Sequence, residues 1–281
     1  MTAPIVRTRA HLREMTRGWH MSGETIGVVP TMGALHDGHL SLVARAKSMA
    51  NRVIVTIFVN PKQFNSAEDL AKYPRTEHED AVKLERFAVD AIYVPDGDEM
   101  YPGGFATNVS VAGLTDVLCG AHRPGHFDGV ATVVTKLFTQ TAADLAFFGE
   151  KDFQQLQVVR RLSADLDLGV DVVGCPTIRE IDGLAMSSRN LLLSDQARGR
   201  AALLHEVMEE MSEALSQGSA MQELLPRALS RLKAAGFGDI DYLELRSNDG
   251  LVLLENASVP ARLFAAVWLA GVRLIDNIAV G

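Results

Sequence analysis

Short apolar runs rich in β-branched residues recur along the first part of the chain, at 25–30 (TIGVVP), 52–60 (RVIVTIFVN), 90–95 (DAIYVP), 144–149 (DLAFFG) and 170–176 (VDVVGCP). Their hydrophobicity is nearly continuous, the pattern of strands covered on both faces. Amphipathic stretches at 38–50, 77–88, 129–142 and 152–166 lie between them and read as helices. Strand–helix alternation of this kind predicts a parallel sheet with right-handed crossovers. The texture changes after residue 177. Ser194 opens a long helical pattern that ends at Gly218, and a second helix covers 219–235 and stops at Gly236. The segments DYLELRS, LVLLEN and RLFAAVWLAGVRLIDNIAV then alternate as short strands. The predicted organisation is an α/β, Rossmann-like parallel-sheet domain over 1–177 and a smaller α+β domain over 178–281.

Length and composition agree with this division. A chain of 281 residues fits one large and one small domain. With 47% hydrophobic and 22% charged residues it has the makeup of an ordinary globular protein. A net charge of −8 argues against a nucleic-acid partner, although a local cluster of cations can still hold a small anion. Cys119 and Cys175 have no metal-ligand spacing and read as reduced thiols. The opening MTAPIVRTRAHLREM has no apolar core of a signal peptide, and no apolar run reaches the roughly 18–20 residues that span a bilayer. The expected location is the cytoplasm, away from membranes.

Candidate chemistry concentrates where predicted strands end. Residues 28–47, VVPTMGALHDGHLSLVARAK, run from a buried strand through Gly33 into a helix that begins near Asp37 or Gly38. In an open parallel sheet, ligands sit outside the carboxyl ends of strands, and the N-terminus of the following helix suits an anion. His36 and His39 add two imidazoles on one side of that turn, suited to a phosphate whose charge grows during a reaction. The alternative is that one or both cap the helix. Lys151, in GEKD, follows the strand LAFFG at a second such end, and its ammonium can meet negative charge building at phosphorus. Gly149 allows close approach of a ligand, and Asp152 either caps the next helix or bonds ribose hydroxyls. In AMSSRN, Ser187 and Ser188 supply hydroxyls and Arg189 a planar multidonor clamp for phosphates, unless this is a polar interdomain loop.

The H-x-G-H spacing of His36 and His39 resembles the signature of the adenylyl-transferring superfamily that includes class I aminoacyl-tRNA synthetases. The longer string PTMGALHDGHLSLV resembles the pantothenate synthetase (pantoate–β-alanine ligase) family. So do IFVNPKQF (57–64), YPRT (73–76), RPGHFDGVATVVTKLF (123–138), FGEKDFQQL (148–156), DGLAMSSRN (182–190) and RLIDNI (273–278), all in the family's order. Two positions depart from it: Cys119 stands where the family often has Glu, and Leu192 where it often has an aromatic.

The resemblance implies an ATP-dependent condensation of pantoate with β-alanine. Pantoate carboxylate attacks the α-phosphorus, pyrophosphate leaves, and the amine of β-alanine then displaces AMP from pantoyl adenylate. It implies catalytic roles for His36, His39, Lys151 and Arg189, and an ATP site that also includes Met32, Gly33, Gly149, Asp152, Ile178, Met186, Ser187 and Ser188. It implies pantoate and β-alanine contacts at Gln63 and Gln155, with Arg123 and His126 closing the pocket. It further implies a homodimer and magnesium, with Glu79 and Asp80 as candidate ligands unless they are only a solvated, acidic helix start. The position of AMSSRN at the start of the second domain separately suggests a C-terminal domain that acts as a lid and brings Arg189 onto ATP. Two other readings are a different H-x-G-H adenylyltransferase, which would leave the two glutamines unexplained, and a nucleotide-binding protein without catalysis.

Overall fold

A computed structural model describes residues 3–281 of the chain. It divides into two compact units. The first runs to Thr115 and includes Arg123–Glu150 and Gln155–Pro176; the second comprises Asp116–His122, Lys151–Gln154 and Thr177–Gly281. The two short excursions into the second unit are not readable from composition.

In the first unit, β1 (Ile5–Val6), β2 (Ile26–Thr31), β3 (Arg52–Ile57), β4 (Ala91–Tyr93), β5 (Leu145–Gly149) and β6 (Asp171–Cys175) form one sheet in the order β1-β4-β3-β2-β5-β6. Every pairing is parallel. The strands predicted from apolar runs are all present; the one expected over 25–30 is shifted by one residue to Ile26–Thr31, and the other four are shorter than their runs. Strand β1 has no counterpart among those runs. Two residues are too few for a periodic signal, and pairing with Ile92 and Tyr93 defines it. Val29, Val53, Val55, Ile92 and Phe147 pack with Leu40, Val43 and Ala46 of the helix Asp37–Met49 in a dry core. Strand order reverses between β2 and β5, which makes the carboxyl ends of those strands the topological switch point.

The second unit carries a three-stranded antiparallel sheet of β7 (Phe237–Ser247), β8 (Ala261–Leu269) and β9 (Val272–Val280). Leu263, Ala265, Val267 and Leu269 pack against Leu204, Met208, Met211 and Leu232 from its helices. Strands β8 and β9 meet in a two-residue turn, Ala270–Gly271, both at positive φ as the right-handed twist of a hairpin requires. The expected long helix from Ser194 is broken at Ala202 into Asp195–Ala201 and Leu203–Ser216, while Ser194 Oγ does accept the N–H of Ala197. LVLLEN is not a strand of the sheet: it contributes a single bridge, Leu253 to Arg246, and leaves Val252 and Leu253 exposed. Among the described residues, no helix is long and apolar enough to cross a membrane.

Candidate active site

At the end of β2 the chain turns sharply. Gly33 has φ +82° and Ala34 φ +51°, both left-handed. A Cβ on Gly33 would lie 3.2 Å from Asp80 Oδ2 and from Ile57, so glycine suits both the conformation and the space. The turn is clamped from below by Asp80. Its Oδ2 accepts the N–H of Ala34 and its Oδ1 that of Leu35, each at 2.8 Å, and Thr76 Oγ1 donates to Oδ2 at 3.0 Å. Lys83 Nζ donates to Leu35 O at 2.6 Å and lies 3.7 Å from the carboxylate.

His36 then caps the helix Asp37–Met49. Its Nδ1 accepts the N–H of Gly38 at 3.2 Å, and His39 Nδ1 accepts the N–H of His36 at 3.4 Å. The ring centroids are 4.1 Å apart. Capping and ligand donation are therefore not alternatives. A backbone N–H can only donate, so each Nδ1 is an acceptor and the neutral ring carries its proton on Nε2. The caps hold both imidazoles in the tautomer that an anion needs.

The sequence offers Asp80, with Glu79, as a candidate magnesium ligand. The structure gives it the clamp instead. Asp80 is fully buried and both oxygens are already engaged, whereas Mg²⁺ needs near-octahedral access and keeps several waters. Glu79 is exposed, and among the described residues no three His, Cys, Asp or Glu gather in a metal-binding group. Asp80→Asn is expected to set an amide donor against a backbone N–H. The variant should lose about 1–3 kcal/mol of stability, seen as a lower melting temperature in the presence of chelator. An unchanged melting temperature with weaker magnesium dependence would return Asp80 to a metal.

Gln63 is held in the same unit through a buried asparagine that sequence reading passed over. Asn60, 1% exposed, donates from Nδ2 to Gln63 Oε1 and to the carbonyl of Gly129, both at 3.0 Å. Its Oδ1 accepts from Tyr101 Oη at 2.8 Å and from the N–H of Lys62 at 3.3 Å. Gln63 Nε2 lies 3.0 Å from Met32 Sδ, so two predicted site residues do meet. Arg123 and His126 both grip the main-chain carbonyl of Gln63, at 3.2 Å and 2.8 Å. That carbonyl only accepts, so His126 Nδ1 carries the proton and Nε2 accepts from Arg123 Nη1 at 3.1 Å. They act as positioners of the glutamine loop. Gly129, inside the helix His126–Thr141, is the other piece missed: a Cβ there would come within 2.3 Å of Lys62 O. A glycine inside a helical pattern was the available signal. Gly149 ends β5, with open space where its Cβ would be, and Gln155 is half-buried near the start of the helix Phe153–Asp165.

In the second unit, Lys151, Ser187, Arg189, Asn190, Arg273 and Asp276 line one small cavity. Three predicted site residues are thus brought together. Lys151 sits in the 3-10 turn Glu150–Asp152, its Nζ 3.7 Å from Asp152, and its carbonyl accepts from Asn277 Nδ2 at 2.8 Å. Ser187 caps the 3-10 turn Ser188–Leu192 by accepting the N–H of Arg189 at 3.3 Å. Among the described residues, the Arg189 guanidinium has no hydrogen-bond or ion-pair partner, which leaves its donors for a ligand. Ile178 O accepts the N–H of Met186 at 3.0 Å, closing a hairpin whose Arg179 pairs with buried Asp276 at 2.6 Å. Asp276 and Asn277 both belong to the RLIDNI block, which as a bare sequence read only as strand.

Comparison with known proteins agrees over the full chain. The family model described as pantoate-beta-alanine ligase matches residues 4–279. Pantothenate synthetase of Roseobacter denitrificans is 72% identical over 100% of this chain and 99% of its own length, and that of Ruegeria pomeroyi is 64% identical over 100% and 98%. The crystal structure of pantothenate synthetase from Thermus thermophilus superimposes with a TM-score of 0.91 at 44% identity, covering 98% of both chains. A pantoate-beta-alanine ligase from Francisella tularensis, complexed with beta-gamma ATP and beta-alanine, gives 0.82 at 32% identity over 99% and 97%.

Proposed function

The chain belongs to the pantoate–β-alanine ligase family, and from that premise we propose that it condenses pantoate with β-alanine at the expense of ATP. The reading is carried by the paired imidazoles at the switch-point turn, both locked as Nε2–H donors. A carboxylate is a poor acyl donor, because its leaving group would be oxide. Attack of pantoate oxygen on the α-phosphorus breaks the bond to the β-phosphate and releases pyrophosphate. The acyl carbon then carries AMP, a good leaving group, and the β-alanine amine displaces it.

The first step needs charge stabilisation more than proton transfer, since the carboxylate is already ionised at neutral pH. His36 and His39 donate to phosphate oxygens beside the N-terminus of their helix, where the dipole also favours an anion. Lys151 meets the charge that builds at the α-phosphorus. Ser187, Ser188 and Arg189 hold the outer phosphates, and Met32, Gly33, Gly149, Asp152, Ile178 and Met186 complete the nucleotide contacts. Gln63 and Gln155 bind pantoate through neutral amides suited to hydroxyls. Magnesium bound with ATP would supply positive charge to the departing pyrophosphate, beside the donors of His36, His39 and Arg189. The enzyme works in the cytoplasm as a homodimer.

Isotope exchange tests the reading. Exchange of labelled pyrophosphate into ATP is expected only when pantoate is present, and AMP should appear stoichiometrically with pantothenate once β-alanine is added. Exchange independent of pantoate, or AMP transfer to a phosphorylated acceptor, would point to another adenylyltransferase.

A further inference from the structure

Backbone polarity in the first unit settles a question that side-chain amides usually leave open. Lys62 N–H can only donate and Gly129 C=O can only accept, and Asn60 lies against both, at 3.3 Å and 3.0 Å. Its Oδ1 therefore faces Lys62 and its Nδ2 faces Gly129. The same Nδ2 meets Gln63, so Gln63 must turn Oε1 toward Asn60 and its NH2 group away. A flipped Gln63 would set two donors against each other. Tyr101 makes the shorter of the two bonds to Asn60 Oδ1, at 2.8 Å against 3.3 Å. Its ring is held by Phe105 at 5.1 Å, Phe58 at 6.1 Å and the ammonium of Lys62 at 5.4 Å. Burial pushes the Tyr101 phenol well above its ordinary pKa, so the hydroxyl keeps its proton and donates.

We propose that Tyr101 is a positioning residue that acts through Asn60 to fix the Gln63 amide with its NH2 group outward, so that the substrate atom recognised by Gln63 is a hydrogen-bond acceptor. That NH2 group donates to the thioether of Met32 at 3.0 Å, a weak acceptor that a carboxylate or hydroxyl oxygen outcompetes. The relay rests on the reading of Gln63 as a pantoate contact, and it adds the polarity of that contact and a residue that sets it.

Steady-state kinetics of the full-length enzyme test it with pantoate and ATP varied separately. Tyr101→Phe is expected to raise KM for pantoate about tenfold, the equivalent of one buried hydrogen bond, with KM for ATP unchanged. Asn60→Asp puts an acceptor where Nδ2 stands, turns Gln63 over, and should raise the pantoate KM further. Gln63→Glu, which offers only acceptors, should lose at least as much as Gln63→Ala. An unchanged pantoate KM in Tyr101→Phe, equal rises for pantoate and ATP, or a Gln63→Glu variant better than Gln63→Ala would each overturn the relay. Should Tyr101→Phe fail to fold, the Glu-against-Ala comparison at half-buried Gln63 still decides. If Gln63→Ala raises the pantoate KM and Tyr101→Phe does not, the relay fails alone. If Gln63→Ala itself changes nothing, the pantoate reading of Gln63 fails and the relay with it.

Discussion

Gly129→Ala is expected to melt well below the wild type and to bind pantoate poorly. Inside an exposed helix this exchange normally stabilises, by about 1 kcal/mol. Here the new Cβ would sit 2.3 Å from Lys62 O, 2.5 Å from Lys62 C and 2.7 Å from Gln63 N, where ordinary contact begins at 3.4 Å. All three are backbone atoms, so no rotamer change relieves the clash. Either the Lys62–Gln63 segment moves out by about an ångström or the helix bends. Overpacking of this kind costs about 3 kcal/mol, against which helix propensity recovers about one. A net loss of about 2 kcal/mol lowers the melting temperature of a chain this size by about 4–8 °C. Displacement of Gln63 by that distance is also enough to cost on the order of 10²-fold in kcat/KM for pantoate. Thermal unfolding and pantoate titration check both halves. The sign is decisive, because a variant that melts higher than wild type would mean the loop does not lie against this helix.

Removal of a phosphate donor should leave an intact fold with little adenylation. Lys151→Ala is expected to reduce pantoate-dependent pyrophosphate exchange by about 10²–10³-fold, the usual effect of deleting one preorganised donor. His36 needs a subtler substitution, since it is also the helix cap. His36→Ala removes cap and donor together and confounds about 1 kcal/mol of stability with the chemistry. Asparagine is a good N-cap residue and can accept the Gly38 N–H in place of Nδ1, yet it does not carry a donor where Nε2 stands. His36→Asn should therefore keep its melting temperature and lose exchange by about 10²-fold. Near-normal exchange in His36→Asn would reduce this histidine to a cap.

Much of the candidate site is legible in the sequence because several of its residues follow strand ends. A strand–glycine–helix corner can be read locally, and the pair at 36 and 39 falls at such a corner in the folded chain. Lys151 is suggested by a second strand end, and the serines before Arg189 by a glycine-preceded polar loop, both within blocks held in family order. The residues that hold these groups in place were not found. Asn60, Tyr101, Gly129 and Asn277 act on partners between 3 and 126 positions away in the chain. Asp80 shows the limit most clearly: an acid in the first turn of the helix Glu77–Glu85 looks like a solvated residue or a metal ligand until its partners 45 and 46 positions earlier are known.

Periodicity and punctuation along the chain by themselves determined the alternation of strands and helices, the change of texture near residue 177, and the residue types offered at each strand end, because those signals depend on neighbours a few positions apart. Only the tertiary structure decided which tautomer the histidines carry, that Asp80 clamps a turn, and which way the Gln63 amide faces. Each of those depends on the fixed polarity of a backbone N–H or C=O that packing brings against the side chain, and linear order alone does not say which backbone group that will be.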